Sequence, residues 1–85
     1  MSMDIETARA LCKNLFPEIE QISRQYEAAL NECSNVAART GENKEKILRE
    51  AQALAAASTM TVTGAIWNVT AQKQREYIER EKERP

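Results

Sequence analysis

Residues 51–72 read AQALAAASTMTVTGAIWNVTAQ and contain no charged side chain, although Asp, Glu, Lys and Arg make up 29% of the chain. Most residues of this neutral stretch are small or β-branched, and Leu54, Ile66 and Trp67 are among the few large ones. Small side chains let two helix axes approach closely. We therefore expect the neutral stretch to be helical and to pack against the first half of the chain and against another polypeptide.

The neutral stretch belongs to a predicted helix that runs from about residue 44 to 83. Its weak part is residues 58–70, because Thr, Val and Gly are poor helix formers, and Gly64 costs about 1 kcal/mol relative to alanine. Residues 61–69 could instead form a small β-hairpin. An isolated two-stranded ribbon is barely stable, and the preceding alanine run is strongly helical, so the pattern favours the helix.

The first half of the chain carries an apolar residue at every third or fourth position, which indicates a helix with one buried stripe. We call these positions the seam: Ile5, Ala8, Cys12, Leu15, Ile19, Ile22, Tyr26, Ala29, Cys33 and Val36. Asp4 suits the N-cap of this helix. Pro17 interrupts the seam, since a proline in a helix interior costs about 3 kcal/mol. Either a short helix breaks before Pro17 or one helix kinks there, and the unbroken apolar phase favours the kink.

The segment Thr40-Gly41-Glu42-Asn43 is the clearest turn signal in the chain. Gly41 suits the left-handed position after a helix C-terminus, and Asn43 suits the N-cap of the next helix. A short connection between long helices predicts an antiparallel helical hairpin. Residues 1–85 would form one all-α domain, with helices at about 5–39 and 44–83.

Folding back from Gly41 predicts which residues of the two helices meet. Large side chains of the first helix would face small ones of the second. The predicted neighbours are Val36 and Ile47, Ala29 and Leu54, Ile22 and Thr61 or Val62, and Leu15 and Val69. Two helices of this composition give a thin core, and chains of this size often need a partner. We expect the hairpin to complete a helical bundle by dimerisation or by binding a partner.

Several function classes lack their usual residues. The chain has no histidine, two distant cysteines and two isolated glycines, so we expect no enzyme, no metal site and no cofactor. The net charge of −1, without a basic patch, argues against nucleic acid. The neutral stretch is too polar to favour a membrane span, and Asp4, Glu6 and Arg9 interrupt any secretory signal core. The cytoplasm is the expected compartment, and no small-molecule substrate is expected.

The cysteines, the tryptophan and the charged C-terminal segment each allow a second interpretation. Cys12 and Cys33 would lie about 31 Å apart along one helix, which is beyond disulfide reach, so we interpret them as small buried residues, with an intermolecular disulfide as the alternative. Trp67 is either part of the core or an interface anchor, because interface hot spots favour tryptophan and two helices cannot bury both Ile66 and Trp67. The charged segment 73–84 is a solvated helix end or a docking site for a mixed-charge partner.

Three segments around the predicted turn resemble the small co-chaperones of type III secretion needle subunits. These segments are residues 28–33 (AALNEC), 38–41 (ARTG) and 52–54 (QAL). The resemblance implies a helical hairpin that pairs with a tetratricopeptide-like chaperone and keeps the needle subunit from polymerising in the cytoplasm. It covers about half of the chain, and residues 58–85 have no counterpart in that family.

The sequence therefore predicts a protein–protein interaction module, with a secretion co-chaperone as the first hypothesis. A small phage- or plasmid-encoded inhibitor or regulator and a structural assembly protein are the alternatives. A glutamate in place of Ala57 is expected to disrupt packing or association, because it would bury a charge. The predicted interface residues are Leu15, Phe16, Ile19, Ile22, Tyr26, Leu54, Ala57, Thr61, Val62, Ile66 and Trp67.

Overall fold

A computed structural model describes residues 4–84, except for the side chain of Cys12, so the prediction for that side chain lies outside the described part. The chain forms four helices: α1 (Ile5–Leu15), α2 (Pro17–Thr40), α3 (Lys44–Ser58) and α4 (Val62–Lys82). No strand occurs among these residues. The all-α class is confirmed, and the alternative β-hairpin at residues 61–69 is wrong because α4 contains nearly all of that segment.

The chain breaks between α1 and α2. Asp4 caps α1, since its Oδ1 accepts from the amide of Thr7 at 2.6 Å. Phe16 has φ −140° and ψ 70°, outside the helical region, and Pro17 starts α2, where its missing N–H is not needed. An ion pair between Arg9 and Glu27 shows that α1 folds back onto α2. The kink that the apolar phase favours is therefore wrong, and the break is right.

The predicted turn between α2 and α3 is present and follows the expected capping chemistry. Gly41 adopts φ 78° and donates its N–H to the carbonyl of Ala37 at 2.9 Å. The Asn43 side chain accepts from the amide of Lys46 at 3.0 Å and so caps α3. Gly41 fits this conformation because a Cβ is disfavoured at positive φ. The turn makes α2 and α3 antiparallel neighbours.

The predicted helix over residues 44–83 is interrupted at residues 59–61, where α3 ends and α4 begins. Thr59 adopts φ 54° and ends α3 in the left-handed region. Thr61 has an extended backbone, and its Oγ1 accepts from the amide of Gly64 at 3.0 Å. The break lies among the weak helix formers that begin at Ser58, and a threonine side chain that caps the next helix stabilises it.

Because of this break, α4 reverses and packs against both α2 and α3. Lys73 forms an ion pair with Glu50 of α3 at 3.3 Å. The Arg39 guanidinium, near the end of α2, donates to Gln74 Oε1 at 2.8 Å. Since α4 also begins beside the end of α3, it runs antiparallel to α3 and parallel to α2. The second half of α2, α3 and α4 thus form a three-helix bundle.

The core of the bundle consists of small and medium-sized side chains. Its buried members are Ala29, Cys33, Val36, Ala37, Ile47, Ala51, Ala65, Ile66 and Val69. The half-buried Leu30, Leu48, Leu54, Ala55 and Met60 pack against them. The core contains the second half of the seam and the apolar faces of α3 and α4.

The reversal of α4 overturns part of the predicted helix pairing. Val69 is buried in the core, whereas Leu15 is 65% exposed and Ile22 is 62% exposed. The predicted contacts of Leu15 with Val69 and of Ile22 with Val62 require a straight helix beyond Ser58. Because α3 ends at Ser58, nothing in α3 or α4 reaches along the first half of α2.

Candidate protein-binding surface

The large apolar residues in the first half of the seam are exposed along a two-helix projection at one end of the molecule. We define the apolar arm as residues 5–26, which comprise α1 and the first part of α2. Its seven exposed large apolar side chains are between 41% and 78% accessible: Ile5, Leu11, Leu15, Phe16, Ile19, Ile22 and Tyr26. A monomeric protein seldom leaves so many large apolar residues together in water.

The seam changes from exposed to buried along one continuous helix. Tyr26 is exposed, whereas Ala29, one turn further along α2, is fully buried, as is Cys33. The same face of α2 therefore packs on α3 and α4 in its second half and faces solvent in its first half. The apolar spacing is that of a covered face, but the chain provides a cover for only half of it.

α1 packs against α2 beside the seam face. One cleft between the two helices is lined by Ile5, Ala8 and Arg9 of α1 and by Ile19, Glu20 and Ser23 of α2. Glu20 is buried, and its Oε1 accepts from Arg24 Nε at 2.9 Å. In a helix, position 20 points away from the direction shared by positions 19, 22 and 26, whereas position 23 lies beside position 19 at the edge of that direction. α1 thus borders the seam face at Ile19, and Ile19, Ile22 and Tyr26 all stay exposed.

A second exposed site is a groove between α2 and α4. It has a volume of about 300 Å³, and its lining residues are Glu32, Val36, Trp67, Thr70, Ala71, Gln74 and Arg75. Trp67 remains 43% exposed beside the buried Val36 and Thr70. Among the described residues, the buried Thr70 Oγ1 lacks a hydrogen-bond partner. The groove offers a largely apolar surface with a charged side chain from each helix.

The predicted interface residues occupy three different environments. Leu15, Phe16, Ile19, Ile22 and Tyr26 lie together on the apolar arm. Thr61, Val62 and Trp67 are exposed on or next to α4, and Ala57 is exposed near the end of α3. Leu54 is half-buried against the core, and Ile66 is only 2% exposed.

Two of these residues need a corrected role. Ile66 belongs to the core of this fold, because α4 turns its buried face towards α2 and α3, so a partner could not reach it without opening the bundle. A glutamate at Ala57 would not be buried within the chain, since Ala57 is exposed. The expected disruption of internal packing by Ala57→Glu is therefore wrong, and only an effect on association stays a prediction.

Sequence reasoning leaves three exposed apolar residues out of the interface. Ile5 is a seam residue, but a single hairpin gives no reason to place it in one cleft with Ile19. Leu11 lies next to the seam position 12, and Ile78 lies in the charged segment of α4; both are about 40% exposed. Reading Pro17 as a helix start would place α1 beside α2 and bring Ile5 and Leu11 into the arm.

The described residues offer little for chemistry. They contain no cluster of three or more His, Cys, Asp or Glu side chains that could hold a metal ion. Hydrogen bonds from the backbone and side chain of Thr7 lower the pKa of Asp4, which reflects its role as a helix cap. Cys33 carries a buried free thiol. These groups have structural roles in the helices and in the core.

None of the helices described for residues 4–84 combines the length and the apolar character of a membrane span. Comparisons with protein-family models, with curated proteins and with solved structures found no match. The arm and the groove of this chain are therefore the features from which its function can be inferred.

Proposed function

We propose that this protein is a non-enzymatic protein–protein interaction module and that it binds through the apolar arm. The observation that carries the proposal is the exposure of Ile19, Ile22 and Tyr26 on α2, because the same helix face continues into the buried seam of the bundle. Exposed apolar area of this extent is typical of an interaction site. We place the module in the cytoplasm, where a free thiol such as that of Cys33 stays reduced.

The division of the chain into bundle and arm supports this proposal. The bundle buries its own apolar faces and gives the arm a fixed base, because α2 belongs to both parts. A helix that continues out of a packed core needs little additional ordering when a partner binds its exposed half, which favours affinity. Aromatic side chains are enriched among interface hot spots, and the arm exposes Phe16 and Tyr26.

A secretion co-chaperone is the specific form of the module that the resemblance favours. The resembling segments lie in residues 28–54, which form the end of α2, the turn at Gly41 and most of α3. They belong to the bundle, and the apolar arm lies outside them. We propose that such a co-chaperone would hold a partner subunit in the cytoplasm through the arm, while the resembling part supplies the scaffold.

Site-specific photocrosslinking in cells tests the proposed function. A photoreactive phenylalanine derivative replaces Tyr26, which lies on the exposed seam, and the matched control replaces Gln21, which is exposed on another face of α2. The proposal predicts a discrete polypeptide adduct from position 26 and none from position 21. If position 26 gives no polypeptide adduct of any size, the arm is not a binding surface and the proposal is wrong.

A further inference from the structure

We infer that the groove between α2 and α4 binds an α-helix of a partner polypeptide, with a basic residue of that helix near Glu32 and an acidic one near Arg75. The groove lies on the three-helix bundle, away from the apolar arm, so this inference goes beyond the proposed function. Three properties of the groove support it: the exposed stripe of α4, the space beside Trp67 and the two charges at its ends.

An exposed stripe of α4 begins in the groove and continues one turn beyond it. Trp67, Ala71, Gln74 and Ile78 follow each other at intervals of four, three and four residues, so they share one side of the helix. Trp67 is 43% exposed and Ile78 is 41% exposed, and about 16 Å of helix separates them. A partner helix has the same spacing of side chains and can follow this stripe over about three turns.

The groove leaves room for a large side chain of such a helix. It has a volume of about 300 Å³, and the small Ala71 lies in it with the buried Val36 and Thr70. A large apolar side chain over Ala71 would fill this space and pack against the ring of Trp67, as a knob enters a hole between two helices. Tryptophan is enriched among the residues that dominate binding energy at interfaces.

Charges of opposite sign mark the two ends of the groove. The hydrogen bond between Arg39 and Gln74 sets the register of the parallel helices α2 and α4. Glu32 therefore lies level with Trp67, and Arg75 lies about 12 Å further along. Glu32 and Arg75 are thus too far apart to pair, and neither forms an ion pair with another residue of the described part of the chain.

These charges and the length of the stripe select the partner. A helix with a basic and an acidic residue about eight positions apart would place each beside the opposite charge of Glu32 or Arg75, whereas like charges at either end would oppose binding. A small molecule confined to the groove would leave Ile78 uncovered. A helix of about three turns covers the whole stripe, so the partner is a polypeptide helix.

Titration of the purified full chain with model peptides tests the inference. Trp67 lies in the groove and is the only tryptophan of the chain, so its fluorescence reports binding at this site. Three tryptophan-free peptides of about 20 residues, long enough to form a helix, share a stripe of alanines around one central leucine. In the mixed peptide, lysines flank one end of the stripe and glutamates flank the other. The all-lysine and all-glutamate peptides carry one kind of charge at both ends.

The emission of Trp67 should shift to shorter wavelength as a peptide covers the ring. At low ionic strength the wild type should bind the mixed peptide roughly fivefold more tightly than either of the others. Glu32→Lys should make the all-glutamate peptide the tightest binder, and Arg75→Glu should do the same for the all-lysine peptide. Glu76→Lys, on the opposite side of α4 from Trp67, is the matched control and should keep the preference for the mixed peptide.

Two contrary results would overturn the inference. If no peptide shifts the emission of Trp67 at up to about 1 mM, which corresponds to weak binding, the groove does not bind a helix. If the peptides bind without a charge preference, or if Glu32→Lys and Arg75→Glu do not change it, these residues do not select the partner. Neither result affects the proposed function, since the adduct from position 26 tests the arm separately.

Discussion

The guanidinium of Arg9 in α1 forms an ion pair with the carboxylate of Glu27 in α2, although eighteen residues separate them. A straight helix would hold these residues about 27 Å apart. Both side chains are about half exposed, so the pair itself contributes at most about 1 kcal/mol. The reversal of α1 is therefore determined by the non-helical Phe16 and by Pro17, and the ion pair is a consequence of that reversal.

Pulsed electron resonance between spin labels tests this reversal. Labels at the exposed positions Ala10 and Ala28 should lie well below the roughly 27 Å that a continuous helix imposes. Pro17→Ala should add a population near that longer distance, because alanine removes the block to a continuous helix. Labels at Gln21 and Asn31, both within α2, are the control and should not change. A wild-type distance near 27 Å would contradict the folded-back α1.

The contrast between core and arm predicts a large loss of stability for one isoleucine substitution and a small one for another. Ile66→Ala should destabilise the fold by about 2–5 kcal/mol, because it leaves a cavity in the core. Ile22→Ala should change the monomer's stability by less than about 0.5 kcal/mol, since its side chain is mostly exposed. Urea unfolding at low protein concentration, where association is weak, measures both. Similar losses of stability from the two substitutions would show that other residues of the same chain bury the arm.

The turn at residues 40–43 and the buried half of the seam follow directly from the sequence. Gly41 and Asn43 are residues whose backbone and side-chain preferences match their positions. The apolar period then identifies Ala29, Cys33 and Val36 as buried. These features are local, or depend on one helix face, so residue type and spacing determine them.

The break at Thr59 cannot be predicted in the same way. A β-branched residue is disfavoured in the left-handed region, so Thr59 gives no turn signal, and the glycine of this segment lies three residues beyond Thr61 inside α4. At Pro17 the continuous apolar phase favours a kink over the break that the structure shows. The apolar spacing runs without a gap through both helices, although α1 and α2 each have their own apolar stripe. Only the tertiary contacts show that the two stripes do not form one continuous face.

The exposed half of the seam therefore has different surroundings from those that the sequence predicts. A straight second helix would cover Leu15 and Ile22 with residues of α4. The reversal at Thr59 places those residues against the second half of α2. The unpaired surface that the sequence suggests lies mainly on α1 and α2, and Val62 and Trp67 are exposed large apolar residues of the neutral stretch.

Thr70 offers a test of the groove between α2 and α4. Its buried Oγ1 lacks a partner among the described residues, and an unsatisfied buried hydroxyl costs about 1–3 kcal/mol. Thr70→Val keeps the shape of the side chain and removes the hydroxyl, so the free energy of unfolding should rise by about 1 kcal/mol. Thr63→Val, at a half-buried position earlier in α4, is the matched control. A loss of stability in Thr70→Val alone would show that the hydroxyl has a partner in solution.

Thr59 predicts a gain of stability from glycine. Its φ of 54° places a β-branched side chain in the left-handed region, at a cost of about 1–2 kcal/mol. Glycine removes this strain but loses part of the gain through its greater freedom in the unfolded chain. Thr59→Gly should therefore raise the free energy of unfolding by up to about 1 kcal/mol, as measured by urea titration.

The neighbouring threonine provides the control for Thr59, because it has the opposite role in the same turn. Thr61 Oγ1 accepts from the amide of Gly64 at 3.0 Å, and removing such an N-cap costs about 1 kcal/mol. Thr61→Ala should therefore destabilise the chain while Thr59→Gly stabilises it. If both substitutions lower stability, α3 and α4 form one helix through residues 59–61 in solution. Leu15 and Ile22 would then regain the neighbours that a straight second helix provides.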